Sequence, residues 1–137
     1  MSASANKQIV QTFFDALAAG DIEKMKSVMA RDFTWTFPGS TAISGTFRGH
    51  EEIFERFLPK VAEYVDMSAG LGIHIDQVIA EGDTVVVRYR GEMTGKFGPY
   101  NNRYCHVLTV RDGLIRGTEE YADTALVETA LFGKKLE

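Results

Sequence analysis

The sequence predicts an α+β domain, in which helices pack on one face of an antiparallel sheet. Two observations lead to this class. Apolar residues recur at helical spacing up to about Gly70, and beyond it they alternate with a period of two. The alternating segments are joined by turn dipeptides of hairpin type. Helices followed by a run of hairpin-linked strands is the order typical of an α+β fold.

Three helices and one strand are predicted before Gly70. The first helix carries a single apolar stripe and stops at Gly20, and Asp21 can cap a second, short helix. Residues 33–37 alternate as a strand that a Pro-Gly pair ends. A third helix begins near His50, and the proline at position 59 predicts a break or kink just before it.

Four strands are predicted after Gly70, over residues 71–80, 84–94, 103–111 and 114–123. Gly82-Asp83 and Asp112-Gly113 are the turn dipeptides between them. Residues 124–132 are apolar enough for a last short helix that Gly133 ends. Such a sheet, if strongly curved, would enclose a cone lined by aromatic side chains.

Length, charge and cysteine content exclude several classes of protein. A chain of 137 residues matches one domain, which we expect to span residues 1–137. A net charge of -4 argues against nucleic acid or an anionic membrane as the main partner. The single cysteine excludes a disulfide framework and a thiolate-rich metal site. No apolar run or leader predicts a membrane span or export, so we expect a soluble, cytoplasmic protein.

The sequence gives no motif for a metal or a nucleotide cofactor. The three histidines, His50, His74 and His106, lack ligand spacing, so no metal site is expected. A phosphate loop, a dinucleotide fingerprint and a nucleophile elbow are also missing from the sequence.

The last predicted hairpin brings ionisable side chains together. If Asp112-Gly113 forms a two-residue loop, His106 lies opposite Glu119 and Tyr104 lies opposite Tyr121. Because side chains alternate between faces, one face is predicted to carry Val110, Leu108, His106, Tyr104, Ile115, Glu119, Tyr121 and Asp123. The reverse face is then predicted to carry Arg103, Cys105, Thr109, Arg111, Arg116, Thr118 and Glu120.

The candidate catalytic residues of this hairpin are His106, Glu119, Tyr121 and Asp123. A carboxylate in an apolar pocket has a raised pKa suited to acid–base work, and a histidine or tyrosine can assist it. Asp123 is the strongest candidate for the base. The alternative is a surface contact between His106 and Glu119, with the tyrosines serving only in packing.

A second cluster lies on the strand 84–94, where Arg88, Arg90 and Glu92 share one face. They face water or a partner subunit if the apolar face of that strand turns to the core. If the charged face turns inward instead, Arg90 could bind an anion or orient Glu92. The residues predicted to line an apolar pocket are Phe13, Phe14, Trp35, Phe37, Phe54, Phe57, Tyr89 and Tyr104.

Short motifs along nearly the whole chain resemble one family. They are Phe13–Leu17, Ala19–Asp21, Asp32–Trp35, Gly45–Glu51, Glu81–Val85, Val110–Ile115 and Glu120–Asp123. The chain resembles the SnoaL-like, ketosteroid-isomerase-like group of the nuclear transport factor 2 (NTF2-like) superfamily. This resemblance implies a cystatin-like cone around an apolar pocket, and a homodimer joined through the sheet. The fold carries many activities, so the resemblance is specific for the fold rather than the reaction.

Three family chemistries can be compared with the residues present. SnoaL-like polyketide cyclases use a carboxylate near the end of the last strand as base, and Asp123 matches that position. Ketosteroid isomerases use a tyrosine of the first helix, where this chain has Phe13 and Phe14. Proteins like limonene-epoxide hydrolase carry an Arg-x-Asp on a middle strand, which Arg90-Gly91-Glu92 resembles in part.

We therefore expect a cofactor-free cyclase or isomerase acting on a small apolar molecule. Asp123 would remove a proton next to a carbonyl, assisted by His106 or Tyr121. Two alternatives remain open: a non-catalytic ligand-binding or dimerisation module, and a water-adding enzyme using Arg90, Glu92 and Asp123. A buried Asp123 favours the enzyme, and an exposed or merely paired Asp123 favours the module.

Overall fold

The computed structural model describes residues 2–68 and 70–136. The chain begins with two helices, α1 (Ala3–Ala19) and α2 (Ile22–Val28). Gly20 separates them with a positive φ of 71°, which glycine adopts without strain. Asp21 caps α2 by accepting a hydrogen bond from a backbone N–H of its first turn, as predicted.

The third helical segment is irregular where the proline was expected to disturb it. Helix α3 (Gly49–Glu52) continues through a π-helical turn (Ile53–Phe57) into α4 (Leu58–Ala62), and Pro59 lies in the first turn of α4. Because the helical segment is continuous, Pro59 lacks the N–H that would donate to a carbonyl of the preceding turn, and the π-helical turn lies directly before α4. Near the C-terminus, α5 (Thr124–Leu126) runs into a second π-helical turn, Val127–Leu131.

The strands form one large sheet and a two-stranded ribbon. They are β1 (Met29–Phe37), β2 (Gly45–Arg48), β3 (Gly72–Glu81), β4 (Thr84–Glu92), β5 (Thr94–Gly95), β6 (Gly98–Pro99), β7 (Arg103–Arg111) and β8 (Leu114–Ala122). The order in the large sheet is β2-β1-β8-β7-β4-β3, with β5 and β6 in the ribbon. All neighbours in the large sheet are antiparallel except β1 and β8, which are parallel. Strand β1 begins four residues before the predicted strand, and β2 was not predicted.

The core lies between helix α1 and the inner face of the curved sheet. Phe13 and Phe14 of α1 are almost completely buried, and Phe13 stacks on Phe33 of β1 at 6.0 Å between ring centroids. Full burial stabilises such a side chain by roughly 1.5–3 kcal/mol. The α+β class with helices on a curved sheet is confirmed, and the sheet stays open at β2 and β3. Over the described residues, no helix has the length and apolar character needed to span a membrane.

Candidate functional site

A β-bulge in the last hairpin decides which side chains face the interior. Val110 pairs with Ile115, as predicted, but Thr109 pairs with Gly117. Strand β8 therefore contains one extra residue, Arg116, which pairs with no residue of β7. The register predicted from the two-residue loop is wrong from Thr109 outward, because one inserted residue moves every later side chain of β8 to the other face.

The bulge exchanges the inner and outer residues of β8. His106 pairs with Glu120 instead of Glu119, and Thr118 and Glu120 turn inward. Glu119 and Tyr121 lie on the exposed outer face, where the Tyr121 hydroxyl donates a 2.7 Å hydrogen bond to Glu119. These two predicted catalytic residues therefore do not reach the interior of the cone.

Glu120 is the carboxylate that the fold places inside. Its side chain is 12% exposed, and its Oε1 accepts a 2.8 Å hydrogen bond from the indole Nε1–H of Trp35. Its second oxygen, Oε2, accepts no hydrogen bond within residues 2–68 and 70–136. Burial raises the pKa of Glu120 to about 7, and the Trp35 hydrogen bond opposes that rise. Glu120 therefore exchanges a proton near neutral pH.

His106 is buried beside Glu120 and stays neutral. Burial lowers the pKa of His106 to about 3, and its Nε2 lies 4.0 Å from Oε1 of Glu120. Its Nδ1 lies 2.8 Å from Oγ1 of Thr118 and its Nε2 lies 3.3 Å from the Tyr89 hydroxyl. The rings of Tyr89 and His106 stack with their centroids 5.5 Å apart. The arrangement suits a neutral hydrogen-bonding partner that holds Tyr89.

Glu120 lines a small cavity in the cone. Its volume is about 60 Å³, and most of its wall is apolar. The aromatic residues in this wall are Trp35, Phe37, Phe57, Tyr89, Tyr100 and Tyr104. Five of the eight predicted pocket residues are among them. The other three lie elsewhere: Phe13 and Phe14 are in the core behind the wall, and Phe54 faces Lys26 and His50 on the far side of the helix.

Two tyrosine hydroxyls form a polar spot in this wall. Tyr100 accepts a 3.3 Å hydrogen bond from Nδ2 of the buried Asn102, and Tyr104 lies in the same wall. Burial raises the pKa of both tyrosines, and the nearby charge of Glu120 adds to the rise. Both are therefore neutral phenols.

Asp123, the predicted base, serves as a helix cap. It follows β8 directly and is exposed, and its Oδ1 accepts hydrogen bonds from the backbone N–H groups of Ala125 and Leu126 at 3.0 and 3.3 Å. The extra residue in β8 accounts for this position, because the inner face that was expected to reach Asp123 reaches Ala122 instead. The Asp123 carboxylate is thus occupied by capping α5, and it does not line the cavity.

Arg90 and Glu92 lie on the outer face of β4, as expected if the apolar face of the strand turns to the core. Arg90 pairs with Asp76 at 3.0 Å and Glu92 lies 3.4 Å from His74. Since neither converges with Asp123, the arrangement that water addition requires is not formed. Among residues 2–68 and 70–136, no group of three histidine, cysteine or carboxylate side chains is placed to hold a metal ion.

Sequence reasoning missed four residues of the site. Thr118 and Glu120 were assigned to the wrong face, and Tyr100 and Asn102 lie in a loop without periodicity. One signal was available for the first pair. Gly117 lies inside a predicted strand, and a glycine there often marks a bulge or a close backbone approach. Here a β-carbon would stand 2.6 Å from Oγ1 of Thr34 in β1.

Comparisons with known proteins agree with this architecture. An uncharacterized protein of Mycobacterium tuberculosis H37Rv is 29% identical over 133 residues, which cover 94% of this chain and 98% of the relative. An NTF2-like protein of Burkholderia xenovorans LB400 has a crystal structure that superposes with a TM-score of 0.81 at 29% identity, covering 96% of this chain and 98% of that one. TerC, co-crystallized with polyporic acid, superposes with a TM-score of 0.82 at 28% identity, over 93% and 98% of the two chains.

One family model matches most of the chain. The SnoaL-like domain model aligns with residues 10–118, which include α1 from Val10 onward, the sheet up to Thr118 and most of the cavity wall. Structures of NTF2-like proteins share the same fold over nearly the whole chain. This chain therefore belongs to the SnoaL-like family, within the NTF2-like fold.

Proposed function

We propose that the chain is a cofactor-free enzyme that moves a proton on a small apolar molecule, with Glu120 as the proton acceptor. The observation that carries the proposal is the placement of this carboxyl. It is buried in an aromatic wall and held through Oε1 by Trp35, and its Oε2 accepts no hydrogen bond from residues 2–68 and 70–136. A pKa of about 7 matches a general base working at neutral pH.

The proposed reaction is proton transfer next to a carbonyl group. Ionised Glu120 takes a proton from the carbon adjacent to the carbonyl, and the electron pair of that C–H bond forms an enolate. If a C=C bond adjoins that carbon, the enolate extends over it, and the Glu120 carboxylic acid returns the proton to the far carbon, which shifts the double bond. In a cyclase, the enolate carbon instead attacks a second carbonyl, and the alkoxide formed takes the proton from the Glu120 carboxylic acid. Trp35 holds the carboxyl through Oε1 and leaves Oε2 to take the proton.

His106 has a supporting part in this proposal. It does not line the cavity, and its low pKa keeps it neutral whenever Glu120 is ionised. Its hydrogen bond to Tyr89 fixes one aromatic wall of the cavity. The similar protein TerC was co-crystallized with polyporic acid, which supports a small-molecule ligand for this chain as well.

The competing function is a non-catalytic binding module on the same fold. The observation in its favour is the exposure of Asp123, which matches the base position of polyketide cyclases and here caps a helix. The two functions differ in what Glu120 does: an enzyme needs its ionised form to remove a proton, whereas a module needs it only for packing.

Hydrogen exchange of a ketone tests the proposal without knowledge of the natural substrate. Acetone, a ketone small enough for a cavity of about 60 Å³, is incubated in D₂O at pH 8 with the protein, and deuteration of its methyl groups is followed by NMR. We expect the wild type to accelerate exchange, and Glu120→Gln to remove at least about 100-fold of that acceleration. Glu119→Gln is the matched control, because Glu119 lies on the outer face one residue away.

The outcomes separate the two functions. Exchange that depends on Glu120 and is unchanged by Glu119→Gln supports an enzyme. Exchange of acetone that the wild type does not accelerate, or acceleration that survives Glu120→Gln, refutes Glu120 as the base and favours the module.

We also propose that the outer sheet face joins two copies of the chain. An apolar row of Ile79, Val86 and Val107 crosses this face, and Ile79 is 51% exposed. Tyr121 beside it is 45% exposed. Light scattering after size exclusion should give twice the chain mass, and Ile79→Lys should reduce it to the monomer. A monomeric wild type would refute this interface.

A further inference from the structure

The cavity wall combines fixed aromatic side chains with a flexible one. The rings of Tyr89 and Tyr104 are buried and stack with their centroids 4.5 Å apart. The rings of Trp35 and Phe57 are buried as well and lie 5.3 Å apart. Met93 lines the same cavity directly after β4 and is only half-buried. Because a methionine side chain is unbranched and fills irregular gaps, Met93 is an adjustable part of this wall.

Met93 lies far from Glu120 along the sheet. Glu120 pairs with His106 of β7, and His106 pairs with Val87 in the middle of β4. Met93 comes after the last residue of β4, so it lies well beyond the level of Glu120. Since both side chains line the cavity, Met93 limits how far a ligand that contacts Glu120 can extend along the sheet.

The backbone of Met93 is held on both sides. Its N–H donates a 3.1 Å hydrogen bond to Oδ1 of Asn101, and its C=O accepts one of 2.9 Å from the N–H of Tyr100. Its Cε methyl lies 3.0 Å from the point where a β-carbon at Gly91 would stand, and Cε2 of Tyr104 lies 3.1 Å from that point. Gly91 thus leaves the space in which the methyl packs near the tyrosine ring. Shortening the Met93 side chain therefore leaves the backbone contacts in place and adds room to the cavity.

The volume and the charge of the cavity restrict its ligands. The volume of about 60 Å³ is well below the roughly 150 Å³ of a buried apolar cavity that binds benzene. Among the described residues, Glu120 is the one carboxyl in the wall, and neither lysine nor arginine lines it. An organic acid would lie beside the ionised Glu120 without a cation to pair with, whereas a small ketone avoids that cost.

We propose that Met93 sets the upper size of the ligand, and that the ligands are neutral carbonyl compounds with a chain of about three or four carbon atoms. This inference rests on the proposed function, because it names the ligand class of the same cavity and the residue that limits its size. Met93→Ala removes Cγ, Sδ and Cε, which leaves room for about two more methylene groups.

Methyl ketones of increasing length test the size limit. The series is acetone, methyl ethyl ketone, methyl propyl ketone and methyl butyl ketone, with acetate as the charged analogue of acetone. Dissociation constants are measured at pH 8 by protein NMR titration. Each methylene that finds room strengthens binding about fourfold. We expect the affinity of the wild type to stop rising at methyl ethyl ketone, and that of Met93→Ala to rise about 16-fold further up to methyl butyl ketone.

Two control variants separate the size limit from a general effect of cavities. Met93→Leu conserves the side-chain volume, so the wild-type limit should remain. Met25→Ala removes the same atoms from a buried methionine of α2 that does not line this cavity, and the limit should again remain.

Three results would overturn the proposal. Wild-type affinity that rises fourfold per methylene up to methyl butyl ketone refutes the size limit. An unchanged limit in Met93→Ala, or the same gain in Met25→Ala, refutes the role of Met93. Acetate binding more tightly than acetone refutes the neutral ligand class.

A measurement on the wild type does not depend on the folding of the variants. With isotope-labelled methionine methyl groups, methyl ethyl ketone should shift the NMR signal of Met93 and leave that of Met25 unchanged. An unshifted Met93 signal refutes its contact with the ligand. The two proposals fail differently, because this test measures binding. A size limit at Met93 without exchange of acetone supports Met93 and refutes Glu120 as the base, and exchange that depends on Glu120 without a size limit does the reverse.

Discussion

Replacing the buried carboxyl should stabilise the protein at neutral and alkaline pH. Glu120 has a pKa of about 7 in the folded chain, against an ordinary value of 4.5. Because its folded pKa is raised, the contribution of Glu120 to folding stability falls as pH rises from about 4.5 to 7. At about 1.36 kcal/mol per pH unit, the ionised carboxyl costs about 3 kcal/mol at pH 8. Glu120→Gln has no such cost, and its amide oxygen can still accept from Trp35.

The assay is urea unfolding of the wild type, Glu120→Gln and Glu119→Gln between pH 4 and pH 8. The unfolding free energy of Glu120→Gln, minus that of the wild type, should increase by about 3 kcal/mol over this range. The same difference for the exposed Glu119 should change little. A difference for Glu120→Gln that stays flat, or that falls with rising pH, would refute the raised pKa and with it the argument for a base.

Further substitutions test the contacts around the site. Trp35→Phe removes the hydrogen bond that opposes the pKa rise of Glu120, so the pH midpoint of ketone exchange should move upward, as measured by its pH–rate profile. Thr118→Val leaves Nδ1 of His106 without its buried partner and should cost about 1–3 kcal/mol in urea unfolding. Gly117→Ala places a β-carbon 2.6 Å from an oxygen of β1, and a lowered melting temperature is expected.

The fold was predictable because its signals are local. Alternation along β7 correctly placed Tyr104, His106, Leu108 and Val110 on the inner face, and the Asp112-Gly113 turn was correctly located. Strand β2 was missed because four residues, of which one is an apolar phenylalanine, contain too little alternation to identify. The parallel pairing of β1 with β8 joins segments about 80 residues apart, which no local pattern specifies.

The type of residue in the site was predictable from the sequence, but the particular residue was not. A carboxyl near the end of the last strand was expected in the cavity, and the structure places Glu120 there rather than Asp123. The difference is one residue, Arg116, inserted opposite β7. Turn type sets only the first pairs of a hairpin, and the bulge beyond them depends on how closely β1 approaches Gly117. That approach is a tertiary contact, so the faces of β8 could not be assigned from the hairpin alone.

The opposite pKa shifts of His106 and Glu120 explain why a buried acid and base form no ion pair. Between about pH 4.5 and 6.5 the unfolded chain holds a proton on the histidine and none on the glutamate. Folding lowers the pKa of His106 to about 3 and raises that of Glu120 to about 7, so one proton moves from imidazole to carboxyl. Folded and unfolded states then bind equal numbers of protons at these two sites, and the pair contributes no pH dependence in this window. Above pH 7 only the Glu120 carboxyl loses its proton. The ionised form of Glu120, which would accept a proton from a substrate, is therefore populated at pH values where it destabilises the fold.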